Sequence, residues 1–172
     1  KDQQDILSFY DDLESPILDS APSFIVEDLL FPYEFGYSFV NYLYQSGGWA
    51  SVDLAYSSPP VTTEQILHPE KYPDDQPIEV FIPDLLPELG DGWQEIDRNV
   101  MGEWYIYLIL AHGLSEEFRI SETKAKNAAE GWGGDTYVVY LNNESDSTFM
   151  TFRTKWESTT QADEFIDAFK EY

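Results

Sequence analysis

The sequence has no cysteine, only two histidines and no long apolar run. The missing cysteine excludes disulfides, thiolate nucleophiles and cysteine-ligated zinc. The longest apolar run, Trp104–Ala111, is far shorter than the roughly 20 residues that span a bilayer, so we predict no transmembrane segment. His68 and His112 lie far apart and form no His-Glu-x-x-His pair. We therefore expect no tightly bound zinc in this chain.

Basic residues are also scarce, with 9 Lys and Arg against 33 Asp and Glu and a formal charge of −24. A charge of this size repels polyanions, which excludes nucleic acid and anionic membrane surfaces as partners. The acidic residues are spread along the chain instead of forming a tail, and screening by salt relieves their repulsion. We interpret this as adaptation to salt, which predicts a melting temperature that rises with sodium chloride.

What the chain does contain is enough apolar material for one core. At 172 residues, 42% of them hydrophobic, it is long enough for one domain and too short to require two. The pattern predicts a lead-in segment at 1–22 and a single α+β domain at 23–172. This domain has a helical N-terminal half and a C-terminal antiparallel hairpin or small sheet packed by helices. The chain begins at Lys1 without Met, which we interpret as a fragment or a processed product.

Helices are predicted along the first half of the domain. Ser23 is expected to cap a short helix with Val26, Leu29 and Leu30 on one face, and Pro32 to restart or kink it.

A second helix is predicted over 33–46, with Gly47 and Gly48 as its C-terminal stop. Its expected buried residues are Tyr37, Val40 and Tyr44.

Two shorter helices are predicted to follow, the first over 49–56. Thr62 with Gln65 three residues later forms a capping-box pattern for the second, over 63–67.

The chain then changes character. We predict an edge strand over 78–82 that Pro83 closes, followed by a loop over 83–97. Residues 99–112 show helical spacing, although their β-branched and aromatic residues leave a strand as the alternative. The expected stripe of that helix is Val100, Trp104, Leu108 and Ala111.

The C-terminal part is predicted as a helix over 121–130, a hairpin and a final helix. The hairpin strands are 137–141 and 149–156, with Met150, Phe152, Thr154 and Trp156 alternating with polar residues. Ser158 and Gln161 form the capping pattern of the last helix. Its apolar stripe, expected to pack on the hairpin, is Ala162, Phe165, Ile166 and Phe169.

Two loops are the predicted binding site. One carries His68, Glu70 and Tyr72, and the other is the Gly-Gly segment Trp132, Gly133, Gly134 and Asp135. Both adjoin element ends, where binding residues tend to be displayed, so we expect the two loops to approach each other. Each also has a structural interpretation, in which His68 bonds a nearby backbone group and the glycines shape a turn. His112, at a helix C-terminus, is interpreted as structural.

The sequence gives only weak signals for catalysis, calcium binding, glycosylation or binding by aromatic residues. With 33 acidic residues any carboxylate pair can be nominated for catalysis, so we predict no catalytic residue. Acidic loops at 73–75 and 142–146 are candidate weak calcium sites, and Asn143 begins a glycosylation sequon. The aromatic residues either pack in the core or line a groove for peptide or carbohydrate. These include Trp49, Trp93, Trp104, Trp132 and Trp156.

Several strings together resemble one family. They are Phe31-Pro32-Tyr33, Gly36-Tyr37-Ser38-Phe39-Val40, Gly47-Gly48-Trp49, Thr63-Glu64-Gln65-Ile66-Leu67-His68-Pro69-Glu70-Lys71-Tyr72 and Gly131-Trp132-Gly133-Gly134-Asp135. They are similar to the C-terminal part of secreted or surface-anchored proteins of bacteria and salt-loving archaea. Those proteins carry an upstream HExxH helix and are described as zinc metallopeptidases.

The resemblance carries no catalytic residue onto this chain, because the HExxH segment and its zinc would precede Lys1. It implies an extracytoplasmic location and a non-catalytic C-terminal region that packs beside, or walls, the upstream domain of the parent protein. Two alternatives stay open: a stand-alone acidic module that binds peptide or carbohydrate, and an enzyme that uses unidentified carboxylates.

Overall fold

The computed structural model describes Leu18 and residues 20–172. Most of the predicted lead-in segment therefore lies outside the described residues. From Ser23 onward the chain forms six α-helices and a three-stranded sheet. In order, they are α1 (Ser23–Ser57), α2 (Thr63–Leu67), α3 (Leu86–Leu89), β1 (Trp93–Asn99), α4 (Gly102–His112), α5 (Glu122–Ala129), β2 (Trp132–Asn142), β3 (Ser147–Trp156) and α6 (Thr159–Glu171).

The start of α1 differs from the prediction. Pro22 takes the N-cap position and Ser23 is the first helical residue, so Ser23 does not cap the helix. Inside α1 the backbone departs from helical angles only at Gly47 and Gly48. The helix thus continues through Pro32 instead of restarting there. The predicted stop is confirmed, since Gly48 has φ 65°, a conformation that favours glycine.

The core-facing side of α1 was also predicted wrongly. Phe39 and Leu43 are buried, whereas Val40 and Tyr44 are exposed, and Tyr37 is only half-buried. The buried stripe is therefore rotated by one residue, about 100°, from the expected one. Tyrosine and valine at the predicted positions gave an apolar pattern that did not separate the two faces.

The capping of α2 is confirmed. The Thr62 hydroxyl accepts a hydrogen bond from the Gln65 N–H at 3.1 Å. A 3-10 turn, Pro69–Lys71, follows, so His68 lies at the junction of the two helical turns.

The predicted edge strand at 78–82 forms no strand and is not part of the sheet. Instead, polar side chains bond its backbone: Thr136 and Arg98 donate to the carbonyls of Val80 and Ile82. The third strand of the sheet is β1, in a region predicted as loop. All of β1 except Trp93 is exposed, so no alternation of apolar and polar residues marks it in the sequence.

The sheet is antiparallel in the order β1-β2-β3. The hairpin is confirmed, with Asn142 paired to Ser147 across its turn. However, β2 begins at Trp132, so the Gly-Gly segment is the first part of a strand and not a loop before it. On β3, Met150 is exposed and does not share the inward face predicted for it.

Helix α4 lies at the centre of the main core, and the strand alternative for this segment is wrong. It is buried on nearly every side, which explains why its sequence reads as a continuous apolar run. Val100 precedes the helix and is exposed, unlike the prediction.

The last helix packs on the hairpin as expected. Ser158 accepts a hydrogen bond from the Gln161 N–H at 3.2 Å, and Phe165 stacks on Trp156 with ring centroids 4.8 Å apart. The other predicted stripe residues Ile166 and Phe169 are exposed, because Phe165 and Ala168 form the buried face. The chain thus has the predicted α+β fold. No described helix combines the length and the hydropathy needed to cross a membrane.

Candidate functional site

Each of the two predicted binding segments contacts the start of α4, His68 through Glu103 and Asp135 through Met101 and Gly102. The first N–H groups of a helix have no partner within the helix and favour a negative charge nearby. Here the Asp135 carboxylate supplies both the hydrogen-bond acceptor and the negative charge. It accepts hydrogen bonds from the N–H groups of Met101 and Gly102 at 2.8 Å each. A residue of β2 therefore fixes the start of α4.

A third donor completes the surroundings of Asp135. The Trp132 indole N–H donates to Asp135 Oδ2 at 2.7 Å, and Asp135 is only 2% exposed. Burial raises the pKa of this carboxyl, while the three donors oppose that shift. We call Met101, Gly102, Trp132 and Asp135 the Asp135 cluster. Each carboxylate oxygen in it has a partner, which is the arrangement expected of a structural group.

The glycines before Asp135 make room for a backbone segment. Ile78 N–H donates to the Gly133 carbonyl at 2.7 Å. A Cβ on Gly134 would lie 2.1 Å from the Ile78 carbonyl oxygen. The close approach that the sequence predicted is therefore real, but its partner is Ile78 and not the His68 segment.

A second buried charge group lies next to α2. Lys71 Nζ is 2.7 Å from Glu64 Oε1 and 2.8 Å from Glu157 Oε1. Burial raises the pKa of Glu64 to about 7 despite the ammonium, and the two carboxylates raise the pKa of Lys71. With a pKa of about 7, Glu64 is partly protonated at neutral pH and becomes fully ionised beside the Lys71 ammonium only at higher pH.

Glu64, Asp75 and Glu157 also form the one grouping of three acidic or histidine ligands found in the described part of the chain. Lys71 already supplies the positive charge that two of these carboxylates need. In the other candidate calcium loop, Asn142 Oδ1 accepts hydrogen bonds from the N–H groups of Glu144 and Ser145.

The third buried charge group pairs His68 with Glu103. His68 Nε2 lies 2.8 Å from Glu103 Oε1, so the partner of His68 is a side-chain carboxylate and not the backbone group that the sequence suggested. Hydrogen bonding to Glu103 raises the pKa of His68, and burial raises the pKa of Glu103. Pairing therefore makes His68 hold its proton to a higher pH, whereas contact with His68 opposes the upward shift of the Glu103 pKa.

Only one of the two carboxylate oxygens of Glu103 has a hydrogen-bond partner among the described residues. Its residue is 5% exposed, and its Oε2 has no hydrogen-bond partner among the described residues. A buried carboxylate oxygen without a donor carries a substantial free-energy cost. This sets Glu103 apart from Asp135, whose oxygens are all bonded.

Glu103 and His68 line a cavity of about 200 Å³, which we call the Glu103 pocket. Its walls are mostly aromatic and aliphatic. They come from α1, α2, α4 and α5, and the other lining residues are Phe35, Leu67, Trp104, Tyr107, Lys126, Ala129 and Glu130.

The remaining predicted site residues lie elsewhere. Glu70 is exposed on the 3-10 turn. Tyr72 donates its hydroxyl to the Ser58 carbonyl at 2.5 Å and contacts Phe39 edge-on. The binding role assigned to the two segments stays a prediction.

His112 and the tryptophans have mixed surroundings. His112 is buried, with Nε2 3.1 Å from the Tyr107 hydroxyl. Trp104 and Trp132 lie in the core, whereas Trp49 is 68% exposed beside Tyr44.

Sequence reasoning missed Glu103, Glu64 and Lys71. Glu103 did leave a signal, since it is the one charged residue at the head of the apolar run that forms α4. Its pairing with His68, 35 positions earlier, depends on packing between α2 and α4. No local pattern reports that packing.

Residues 88–172 match the model of a family described as a domain of unknown function, DUF8575. The matched segment starts within α3, includes Glu103 and Asp135, and leaves out His68, α1 and α2. No curated protein matches the chain. No solved structure matches it either.

Proposed function

We propose that this chain is a non-catalytic binding module that takes a small ligand in the Glu103 pocket. The observation that carries the proposal is Glu103, a residue that lines the cavity, is 5% exposed, and has no partner for its buried Oε2 among the described residues. A ligand that donates to this oxygen removes the cost of an unsatisfied buried acceptor. Apolar walls with a few converging polar groups are typical of small-molecule sites.

The lining favours binding over catalysis. No serine, threonine or cysteine is among the described residues that line the pocket, so no such nucleophile faces the His68 imidazole. The Tyr107 hydroxyl lies 3.1 Å from His112. His68 and Glu103 can therefore orient a ligand and hold a proton, without a third group to attack it.

The test uses NMR titration of the labelled protein with four probes of equal size: n-butylammonium, 1-butanol, butyramide and butyrate. At least one probe should shift the Trp104 indole resonance in the wild type. Ala129→Leu, which fills the cavity, should abolish that shift. Asn127→Leu adds the same bulk at an exposed position of α5 and should leave it intact. Absence of any shift in the wild type would contradict the proposal.

The second candidate is a non-catalytic region that packs on an upstream domain of an extracytoplasmic, metallopeptidase-like parent protein. It rests on the family resemblance and on one observation, the exposed apolar side chains along α1. Leu29, Trp49, Leu54 and Tyr56 are each more than half exposed. Exposed apolar side chains of this kind suit contact with another protein surface.

Its test is binding of the separately expressed upstream domain by calorimetry. Trp49→Ser with Leu54→Ser should abolish binding, and Phe81→Ser, at an exposed residue outside α1, should not. Equal binding by both variants would exclude α1 as the contact surface.

A further inference from the structure

We infer that the ligand of the Glu103 pocket is an organic ammonium, either a free alkylamine or the lysine side chain of a peptide. This inference rests on the proposed binding function and names its ligand class. It follows from the acceptor, the walls and the size of the cavity.

The unpartnered oxygen of Glu103 requires a ligand that donates a hydrogen bond. Glu103 Oε1 is engaged by His68, and Oε2 has no partner among the described residues. A carboxylate oxygen only accepts hydrogen bonds, and it bonds cationic donors most strongly. A ligand that presents an anion or a lone pair to this oxygen would be repelled.

The walls favour a cation over a neutral donor. The rings of Phe35, Trp104 and Tyr107 line the same cavity as Glu103, and aromatic faces attract ammonium groups. Lys126, which also lines the cavity, already holds its Nζ over the Tyr107 ring, 5.5 Å from the centroid, so a ligand ammonium would have to interact with Phe35 and Trp104. The formal charge of −24 also raises the local concentration of cations.

The size restricts the ligand to a short chain. The cavity of about 200 Å³ is smaller than drug-sized pockets. A four-carbon ammonium matches it.

A divalent metal is a poorer match. Within the described residues, the grouping of three ligands close enough to hold an ion is Glu64, Asp75 and Glu157, not a set that includes His68 or Glu103. The pocket also offers few oxygen ligands for a hard cation.

The experiment compares n-butylammonium with 1-butanol and butyrate at constant ionic strength, using wild-type protein. We expect n-butylammonium to bind with one site and the two other probes to bind at least about tenfold more weakly, since only the cation makes a charge-assisted hydrogen bond. A blocked Gly-Lys-Gly peptide forms a second arm. Binding of either amine supports the inference. The amine that binds more tightly shows whether the natural ligand is a free alkylamine or a lysine side chain.

Two variants test the role of the carboxylate. Glu103→Gln should weaken n-butylammonium binding by about tenfold or more. Glu164→Gln removes the same charge from an exposed position of α6 outside the pocket and should change it by less than about threefold. Equal binding by Glu103→Gln and wild type would overturn the inference and point to the acidic surface in general.

Phe35→Leu covers the case in which Glu103→Gln does not fold. It should weaken n-butylammonium binding roughly threefold and leave 1-butanol unchanged, because only the cation interacts with the ring face. If 1-butanol binds as tightly as n-butylammonium and Ala129→Leu abolishes both, the pocket binds ligands but their class is not an ammonium. If no probe binds, the proposed function itself fails.

Discussion

Two buried carboxylates, Glu103 in the first turn of α4 and Asp135 bonded to the start of that helix, differ in how they are bonded. Asp135 accepts three hydrogen bonds, from Met101, Gly102 and the Trp132 indole. Glu103 has a contact from His68 on one oxygen, and the other has no partner among the described residues. Desolvation is the leading cause of a raised pKa for both groups.

The difference in bonding distinguishes Asp135, a structural carboxylate, from Glu103, a candidate ligand-binding carboxylate. Burying a carboxylate is tolerated when donors surround it, and it is costly when one side is left bare. The Asp135 cluster joins β2 to the start of α4, so its loss affects the fold. Glu103 adds little to that junction, so we expect its loss to affect binding more than stability.

The largest effect is expected for Asp135→Ala. The change leaves three buried N–H donors without an acceptor, which should lower the free energy of unfolding by about 3 to 5 kcal/mol. Urea unfolding measures it, with Asp163→Ala at an exposed position of α6 as the control. A loss below about 1 kcal/mol, the size of one ordinary hydrogen bond, would show that the cluster is not structural.

Gly134→Ala should follow in size. The new Cβ would lie 2.1 Å from the Ile78 carbonyl oxygen, so the backbone must shift, at a cost of about 2 to 3 kcal/mol. Gly36→Ala is the matched control, because Gly36 lies in α1 with nothing within 4 Å of a Cβ. That substitution should stabilise the protein by about 0.5 to 1 kcal/mol. Equal effects at the two glycines would mean that the contact with Ile78 is unimportant.

Lys71→Met tests the charge group of Glu64, Lys71 and Glu157 and gives a pH dependence. It leaves Glu64 buried without its cation, which should cost about 2 kcal/mol at pH 8. Burial raises the pKa of Glu64 to about 7 with Lys71 present, and the variant should raise it further. As the pH falls, Glu64 takes up a proton and no longer needs a partner, so the difference from wild type should shrink toward pH 5. A difference that grows on acidification would contradict this account.

His68→Gln should have a smaller effect, about 1 kcal/mol, which is the net contribution of one hydrogen bond. Because Glu103 raises the pKa of His68 above 6.5, this contribution is complete below pH 6.5 and disappears as the pH rises through the folded-state pKa. Stability measured from pH 6 to 9 should therefore show wild type and variant converging at high pH. A stability difference between wild type and variant that stays constant with pH would mean that the proton on His68 does not contribute to stability.

Much of the fold could be predicted from local patterns. The caps at Thr62 and Ser158 and the break at Gly47 and Gly48 depend on residues a few positions apart, and the structure confirms them. Strand β1 could not be predicted, because six of its seven residues are exposed and pairing with β2 is its main contact. The buried face of α1 was missed because tyrosines occupy both sides of the helix.

The candidate site was harder to predict than the fold. His68 and the Gly-Gly segment were singled out from their residue types, but their partners, Glu103 and Ile78, come from distant parts of the chain. Burial and an unpartnered oxygen are properties of packed side chains, and a sequence of 33 acidic residues does not say which one is buried.

The most direct test of the central claim is the free energy of unfolding of Glu103→Gln beside that of Asp135→Asn, each measured by urea titration without added ligand. The two variants make the same chemical change at two buried carboxylates. We predict a loss of about 2 kcal/mol or more for Asp135→Asn, because an amide N–H₂ replaces an acceptor among three donors. For Glu103→Gln we predict a loss below about 1 kcal/mol, because removing a half-bonded buried charge relieves its desolvation cost. A loss at Glu103 equal to that at Asp135 would contradict the account and make Glu103 a structural residue.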